Sequence, residues 1–130
     1  MNQEIILKQE KIKEIGSSLP EVGPFGKELM ANLEKSAIVN STITAKEKSG
    51  KAELHEAYTD IFIILEGLEE LLIGGEIIEK EEEIKGEWRG KGLINNRSYN
   101  IATGDIIIIP KGVAHQHGEG VLKMIVLKIA

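Results

Sequence analysis

Hydrophobic and polar residues alternate with a period of two over much of the chain after residue 37. The segments 38–45, 105–109 and 121–129 are rich in Val, Ile or Thr, and turn residues separate them. Side chains at this period face alternate sides of a strand, and β-branched residues pack well on a sheet. Several short strands divided by turns predict an all-β sandwich or barrel.

Glycines and charges divide the middle of the chain. Gly67 separates the apolar runs 61–66 and 68–73, which predicts two strands. Gly74 and Gly75 precede a further apolar pair, and this pattern predicts a tight hairpin. The charged run 80–83 predicts a solvated loop.

The N-terminal part has a different pattern. Residues 2–15 carry an irregular helical stripe of isoleucines, and Gly16 stands where a helix C-cap is expected. A loop with Pro20, Gly23 and Pro24 follows. We therefore divide the chain into residues 1–36, a helical segment with a linker or dimerisation strand, and residues 37–130, the β domain. The N-terminus has no basic lead, so we expect no signal peptide and a cytoplasmic location by default.

Composition narrows the function classes. A length of 130 residues favours a single domain with one core. The formal net charge of −5 argues against binding to nucleic-acid phosphates. The absence of cysteine excludes disulfides and thiolate chemistry, and the apolar runs are far too short to cross a membrane.

Three histidines flank the strongest predicted strands, and imidazole is the commonest metal ligand. His115 and His117 are two residues apart, so they share a face if the segment is extended. Glu53 and His55 share a face for the same reason, and Asp60 directly precedes a strand. Histidine and carboxylate on one face predict a mixed nitrogen and oxygen metal site.

The spacing of a glycine, a proline and a histidine resembles a known motif. Gly104, five residues, Pro110, one residue, Gly112, two residues and His115 resemble the second motif of the cupin superfamily. His55, four residues, Asp60, six residues and Gly67 resemble the first motif less completely. The segment 86–92 resembles one found in a subgroup of small single-domain cupins without a settled activity.

This resemblance covers about residues 37–129. It implies an all-β double-stranded β-helix, the cupin jelly-roll barrel, with a short helical N-terminal segment. It also implies a homodimer, because cupins of this size commonly pair or exchange N-terminal strands.

The resemblance further implies a ligand set for a divalent metal. His55 and His115 match the cupin histidines, Asp60 replaces the usual Glu, and Glu53 stands where the first His is expected. His117 offers a further imidazole if it faces inward. Such an oxygen-rich set suits Fe(II) or Mn(II) better than copper, and Zn(II) stays a third candidate.

The remaining candidates concern a bound small molecule. Arg89 and Arg97 are the only arginines of a lysine-rich chain, and a guanidinium can bind a carboxylate through two hydrogen bonds. Trp88 is a candidate to line a pocket, although a surface ion pair for each arginine and simple packing for the Trp are the commoner interpretations.

Two functions follow from these residues. The first is a small-molecule-binding cupin with one divalent metal, with catalysis left open. The second is a metal-free barrel that binds or senses a small ligand. A cupin that serves only as a dimer scaffold is a third alternative, because the fold alone does not fix the function.

Overall fold

The computed structural model describes residues 6–19, 25–28, 36–43 and 51–130. Most of these residues belong to antiparallel strands, as predicted. The elements are α1 (Gln9–Ser17), β1 (Phe25–Glu28), β2 (Ser36–Ile43), β3 (Ala52–His55), β4 (Thr59–Ile73), β5 (Glu76–Ile78), β6 (Glu81–Ile84), β7 (Glu87–Gly90), β8 (Gly92–Ile94), β9 (Arg97–Ala102), β10 (Ile106–Ile109) and β11 (His115–Ile129). The predicted loop around Pro20 and the end of the predicted strand at residues 44–45 lie outside the described residues.

The long strand β11 organises the main sheet. It pairs with β4 along nearly its whole length, and it also pairs with β2 and, at His115, with β3. Strands β7 and β6 continue the sheet beyond β3, whereas β9 and β10 pair with the two halves of β4. Strands β5 and β8 form a separate two-stranded sheet. Both ends of β11 are therefore held in place by neighbouring strands.

The core lies on the inner face of β4 and β11. Phe62 and Ile64 of β4 are buried, while the residues between them are only half-buried, as expected for a period of two. The buried core residues are Phe62, Ile64, Leu71, Ile101, Ile109, Leu122 and Met124. Phe62 of this core contacts the polar side chains His115 and His117.

Helix α1 covers the outer face of the same two strands. Ile12 and Ile15 pack with Ile63 of β4 and Ile125 of β11. The helix ends at Ser17, so Gly16 lies inside its last turn and not at the predicted cap. Gly16 is buried because the helix passes close to β11, where the side chain of Lys123 would lie 3.2 Å from a Cβ at this position. Among the described residues, no helix is long and apolar enough to cross a membrane.

Three predictions for the middle of the chain are wrong in detail. The runs on either side of Gly67 form one continuous strand, β4. Gly67 is needed there because its φ is 114° and a Cβ would lie 2.0 Å from the carbonyl oxygen of Val121. The strand continues because glycine lets β4 and β11 approach each other where Gly67 pairs with Leu122.

The predicted hairpin and charged loop also differ from the structure. Strand β5 follows Gly74 and Gly75, but it pairs with β8 and not with β4. The charged run forms β6, which pairs with β7. Its side chains are exposed, so a solvated strand satisfies the same charge pattern as a solvated loop.

Candidate metal centre

Three strands bring the polar side chains together. Strand β3 supplies Glu53 and His55, β4 begins next to Asp60, and β11 begins at His115. The antiparallel register places His115 opposite Glu53. The backbone N–H of Gly112 donates to the carbonyl oxygen of His55 at 2.9 Å, which ties the turn before His115 to the end of β3.

Three ligand atoms converge at this point. Glu53 Oε2 lies 3.5 Å from His55 Nε2 and 3.4 Å from His115 Nε2. One ligand atom of each residue lies within 4.8 Å of the others. Metal–ligand bonds of about 2.0–2.2 Å separate neighbouring ligand atoms by roughly 3.0–3.5 Å, so the spacing fits one ion. Asp60 Oδ2 lies at similar distances, 3.2 and 3.6 Å, from the same two histidine nitrogens.

The orientation of His55 supports the same interpretation. Its Nδ1 lies 2.9 Å from both carboxylate oxygens of Glu87, which is its register partner on β7. A carboxylate on one ring nitrogen commonly fixes a metal-binding histidine so that the other nitrogen faces the ion. His55 Nε2 therefore faces Glu53 and Asp60 in a fixed orientation.

His115 is held differently. The residue is 1% exposed, and its Nδ1 has no hydrogen-bond partner among the described residues. Its Nε2 faces the carboxylates of Glu53 and Asp60 at 3.4 and 3.6 Å. The packed surroundings, which include the ring of Phe62, keep His115 turned towards the cluster.

Asp60 lies beside the three ligand atoms but has a further partner. Its Oδ2 is 3.2 Å from His55 Nε2, while its Oδ1 accepts a hydrogen bond from Lys128 Nζ at 2.8 Å. The same ammonium nitrogen lies 3.2 Å from His55 Nε2. The carboxylate of Asp60 is therefore shared between a histidine and a lysine.

The local charges shift the pKa values of the cluster. Hydrogen bonds from His55 to Asp60 and Glu53 outweigh burial and the nearby ammonium of Lys128, and they raise the pKa of His55 to about 9. Burial alone would raise the pKa of Glu53, but its contacts with His115 and His55 hold that pKa well below its usual value. His55 is consequently protonated near neutral pH and faces ionised carboxylates.

His117 also faces the interior, but it has a separate partner. Its Nδ1 is 2.5 Å from Glu69 Oε1, and its ring lies against Phe62. Burial lowers the pKa of His117, yet the hydrogen bond to Glu69 and its charge outweigh burial, so the pKa is raised. The structure therefore places His117 with the buried carboxylate of Glu69 and not in the group formed by Glu53, His55 and His115.

The three residues expected to bind a small molecule are dispersed. Arg89 is the register partner of Glu53, and its Nη1 lies 3.5 Å from Glu53 Oε1 at the rim of the cluster. Trp88 donates its indole N–H to Glu56, and Lys80 lies over its ring. Arg97 donates to the hydroxyl of Tyr99 on β9. Of the three, the structure brings Arg89 alone into contact with the cluster.

Sequence reasoning missed two residues of the site. Lys128 continues the inward-facing series formed by Leu122, Met124 and Val126, so a charge at the next position of that face was a usable signal. Glu87 gave no comparable signal, because its contact with His55 depends on the pairing of β3 with β7.

Comparison with known proteins supports the fold. No protein-family model and no curated protein matches the sequence. A crystal structure of hydroquinone 1,2-dioxygenase from Sphingomonas sp. TTNP3 with 4-hydroxybenzoate bound is similar, with a TM-score of 0.53 and 14% identity. The similarity covers 98% of this chain and 81% of the dioxygenase chain, which supports a cupin-like fold.

A second solved structure is more distant. It is Fe(II)-HppE with the alternative substrate (S)-1-HPP, and it has a TM-score of 0.49 and 12% identity. The match covers 87% of this chain and spans 61% of the HppE chain.

Proposed function

We propose that this chain is a small-molecule-binding cupin in which Glu53, His55 and His115 hold one divalent metal ion. The observation that carries the proposal is the convergence of three ligand atoms at distances of 3.4 and 3.5 Å. The orientation of His55 by Glu87 supports it, because a second carboxylate fixes the ring before a metal arrives.

Two histidines and one carboxylate are the ligand set of many non-haem Fe(II) oxygenases. Such a set leaves coordination positions open, and a ferrous ion bound there would supply redox chemistry with O₂ or act as a Lewis acid. Fe(II) is therefore our first choice of metal, ahead of Mn(II) and Zn(II). We keep catalysis on an unidentified small substrate as part of this proposal.

The protein's own groups would position the small molecule. Arg89 Nη1 is buried and has no hydrogen-bond partner among the described residues, although Glu53 is near. An anionic group such as a carboxylate would satisfy this donor. We propose that Arg89 anchors an acidic small molecule next to the metal ligands.

A metal-free binding site is the second candidate, and the charges of the cluster favour it. Protonated His55 together with Lys128 and Arg89 carries three formal positive charges, and Glu53, Asp60 and Glu87 carry three negative charges. The cluster is thus neutral without a metal, which avoids the cost of uncompensated buried charge.

Titration with Co(II), a redox-stable substitute for Fe(II), tests the first candidate. We expect one equivalent to bind, with visible absorption typical of nitrogen and oxygen ligands, and Glu53→Gln to weaken binding by about 100-fold because a charged ligand is lost. Glu83→Gln is the matched control, since Glu83 contacts Arg89 at 3.7 Å but lies outside the ligand group.

Equal Co(II) affinity in the wild-type protein and in Glu53→Gln would contradict the proposed ligand set. Absence of binding in the wild-type protein and in both variants would favour the metal-free candidate.

A further inference from the structure

Lys128 reaches the candidate metal centre from the far end of β11. The inward face of this strand is apolar from Leu122 through Met124, and Lys128 continues that face at the point where β11 pairs with Asp60 of β4. The side chain of Lys128 is 27% exposed, so it extends from the surface into the cluster. A charged side chain at this position needs the carboxylate that it meets there.

The ammonium group of Lys128 contacts atoms that a metal ion would also bind. Its Nζ lies 2.8 Å from Asp60 Oδ1 and 3.2 Å from His55 Nε2, and the latter nitrogen is a proposed metal ligand. An ammonium and a divalent ion repel each other, and the repulsion is strong where little water screens it. Binding at His55 is therefore coupled to the position of Lys128.

The same contact distinguishes Asp60 from Glu53. Its Oδ2 is as close to the histidines as the Glu53 oxygen is, at 3.2 and 3.6 Å, yet its other oxygen is held by Lys128. A carboxylate that accepts from an ammonium donates less negative charge to a second cation. Lys128 thus reduces the charge that the site offers to a metal.

We propose that Lys128 is an internal cation that competes with the divalent metal for the site and sets its affinity. In this structure the ammonium group donates a hydrogen bond to Asp60 and lies next to His55 Nε2. Metal binding requires the ammonium to withdraw towards solvent, which its partial exposure permits. This inference rests on the proposed function, because it presupposes that Glu53, His55 and His115 accept a metal.

Co(II) titration of Lys128→Met tests the competition. We expect the Co(II) affinity to rise by about tenfold or more, because a nearby positive charge is removed and Asp60 is released. Lys123→Met removes one positive charge from the same strand, where Lys123 lies against Gly16 of α1, and it should leave the affinity unchanged.

A double variant keeps the test valid if Lys128→Met fails to fold because Asp60 is left unpaired. Lys128→Met combined with Asp60→Asn removes both charges. If Lys128 is a competitor, the double variant binds Co(II) at least as tightly as the wild-type protein.

The outcomes separate the two proposals. Measurable binding to the wild-type protein, with binding to Lys128→Met that is about tenfold tighter or more, supports the competition. Equal or weaker binding in Lys128→Met, with measurable binding in the wild-type protein, overturns the competition and leaves the metal site standing. No binding in any of these proteins overturns the metal site, and the competition with it.

Discussion

His115 and His117 are two residues apart at the start of β11 but contact different carboxylates. His115 faces Glu53 and Asp60, whereas His117 forms a close pair with Glu69. Glu69 is 1% exposed, and its Oε2 has no hydrogen-bond partner among the described residues. The carboxylate therefore depends on the imidazole of His117, which gives this histidine a structural role.

We predict that His117→Ala lowers the free energy of unfolding by about 3–5 kcal/mol, because a buried carboxylate is left without its partner. The same variant should bind Co(II) with unchanged affinity. Urea unfolding and the Co(II) titration measure the two effects, and Glu69→Gln combined with His117→Ala should recover part of the stability. A folded His117→Ala protein that no longer binds metal would show instead that His117 is a ligand.

At the residue scale, the sequence predicted which side chains share a face. The two-residue spacing predicted that Glu53 and His55 share a face and that His115 and His117 share a face, and the structure places the members of each pair near each other. It could not predict which carboxylate each histidine would meet. That choice depends on the pairing of distant strands, which puts Glu69 opposite Gly120 and Glu53 opposite His115.

At the element scale, the long strand pair β4 and β11 supplies Asp60, His115 and Lys128. Gly67 allows the two strands to approach, and Thr59 at the start of β4 pairs with Ile129. Asp60 and Lys128 are held opposite each other by this register. Any change that separates the strands should therefore disturb the contact between these two side chains.

We predict that Gly67→Ala destabilises the protein by at least about 2 kcal/mol more than Gly104→Ala. Both glycines have a positive φ, 114° and 92°, so both variants incur backbone strain of about 1–3 kcal/mol. A Cβ at Gly67 would also collide with the backbone of Val121, whereas Gly104 has no atom within 4 Å of its Cβ position. Equal losses in urea unfolding would contradict this explanation.

Most strands were predictable from the alternation of residues, but their partners were not. Gly74 and Gly75 suggested a hairpin because such pairs favour tight turns. Both glycines do have a positive φ, 87° and 72°, where the chain bends between β4 and β5, but β5 pairs with β8. Gly75 also permits a close approach to β8, since a Cβ there would lie 1.9 Å from the carbonyl oxygen of Ile94. A local signal for a turn does not identify the partner of the strand that follows it.

At the scale of the whole molecule, the polar cluster sits at one end of an apolar core. Phe62 of that core lies against both His115 and His117, so the two histidines pack against the same side chain. The motif resemblance predicted an all-β cupin jelly-roll barrel with a short helical N-terminal segment. The similarity to the dioxygenase structure supports a mainly β, cupin-like fold, and the closed barrel stays a prediction. The expected homodimer and the bound small molecule stay predictions, because they depend on contacts beyond one chain. The expected cytoplasmic location also stays a prediction.

The most direct test of the account is the metal content of protein purified without a histidine tag, measured beside His115→Ala. We predict about one equivalent of a divalent metal in the wild-type protein after anaerobic reconstitution with Fe(II), and a loss of that metal in the variant. His117→Ala should keep it. No retained metal in the wild-type protein with Fe(II), Mn(II) or Zn(II), or equal retention in folded His115→Ala, would contradict the proposed metal centre.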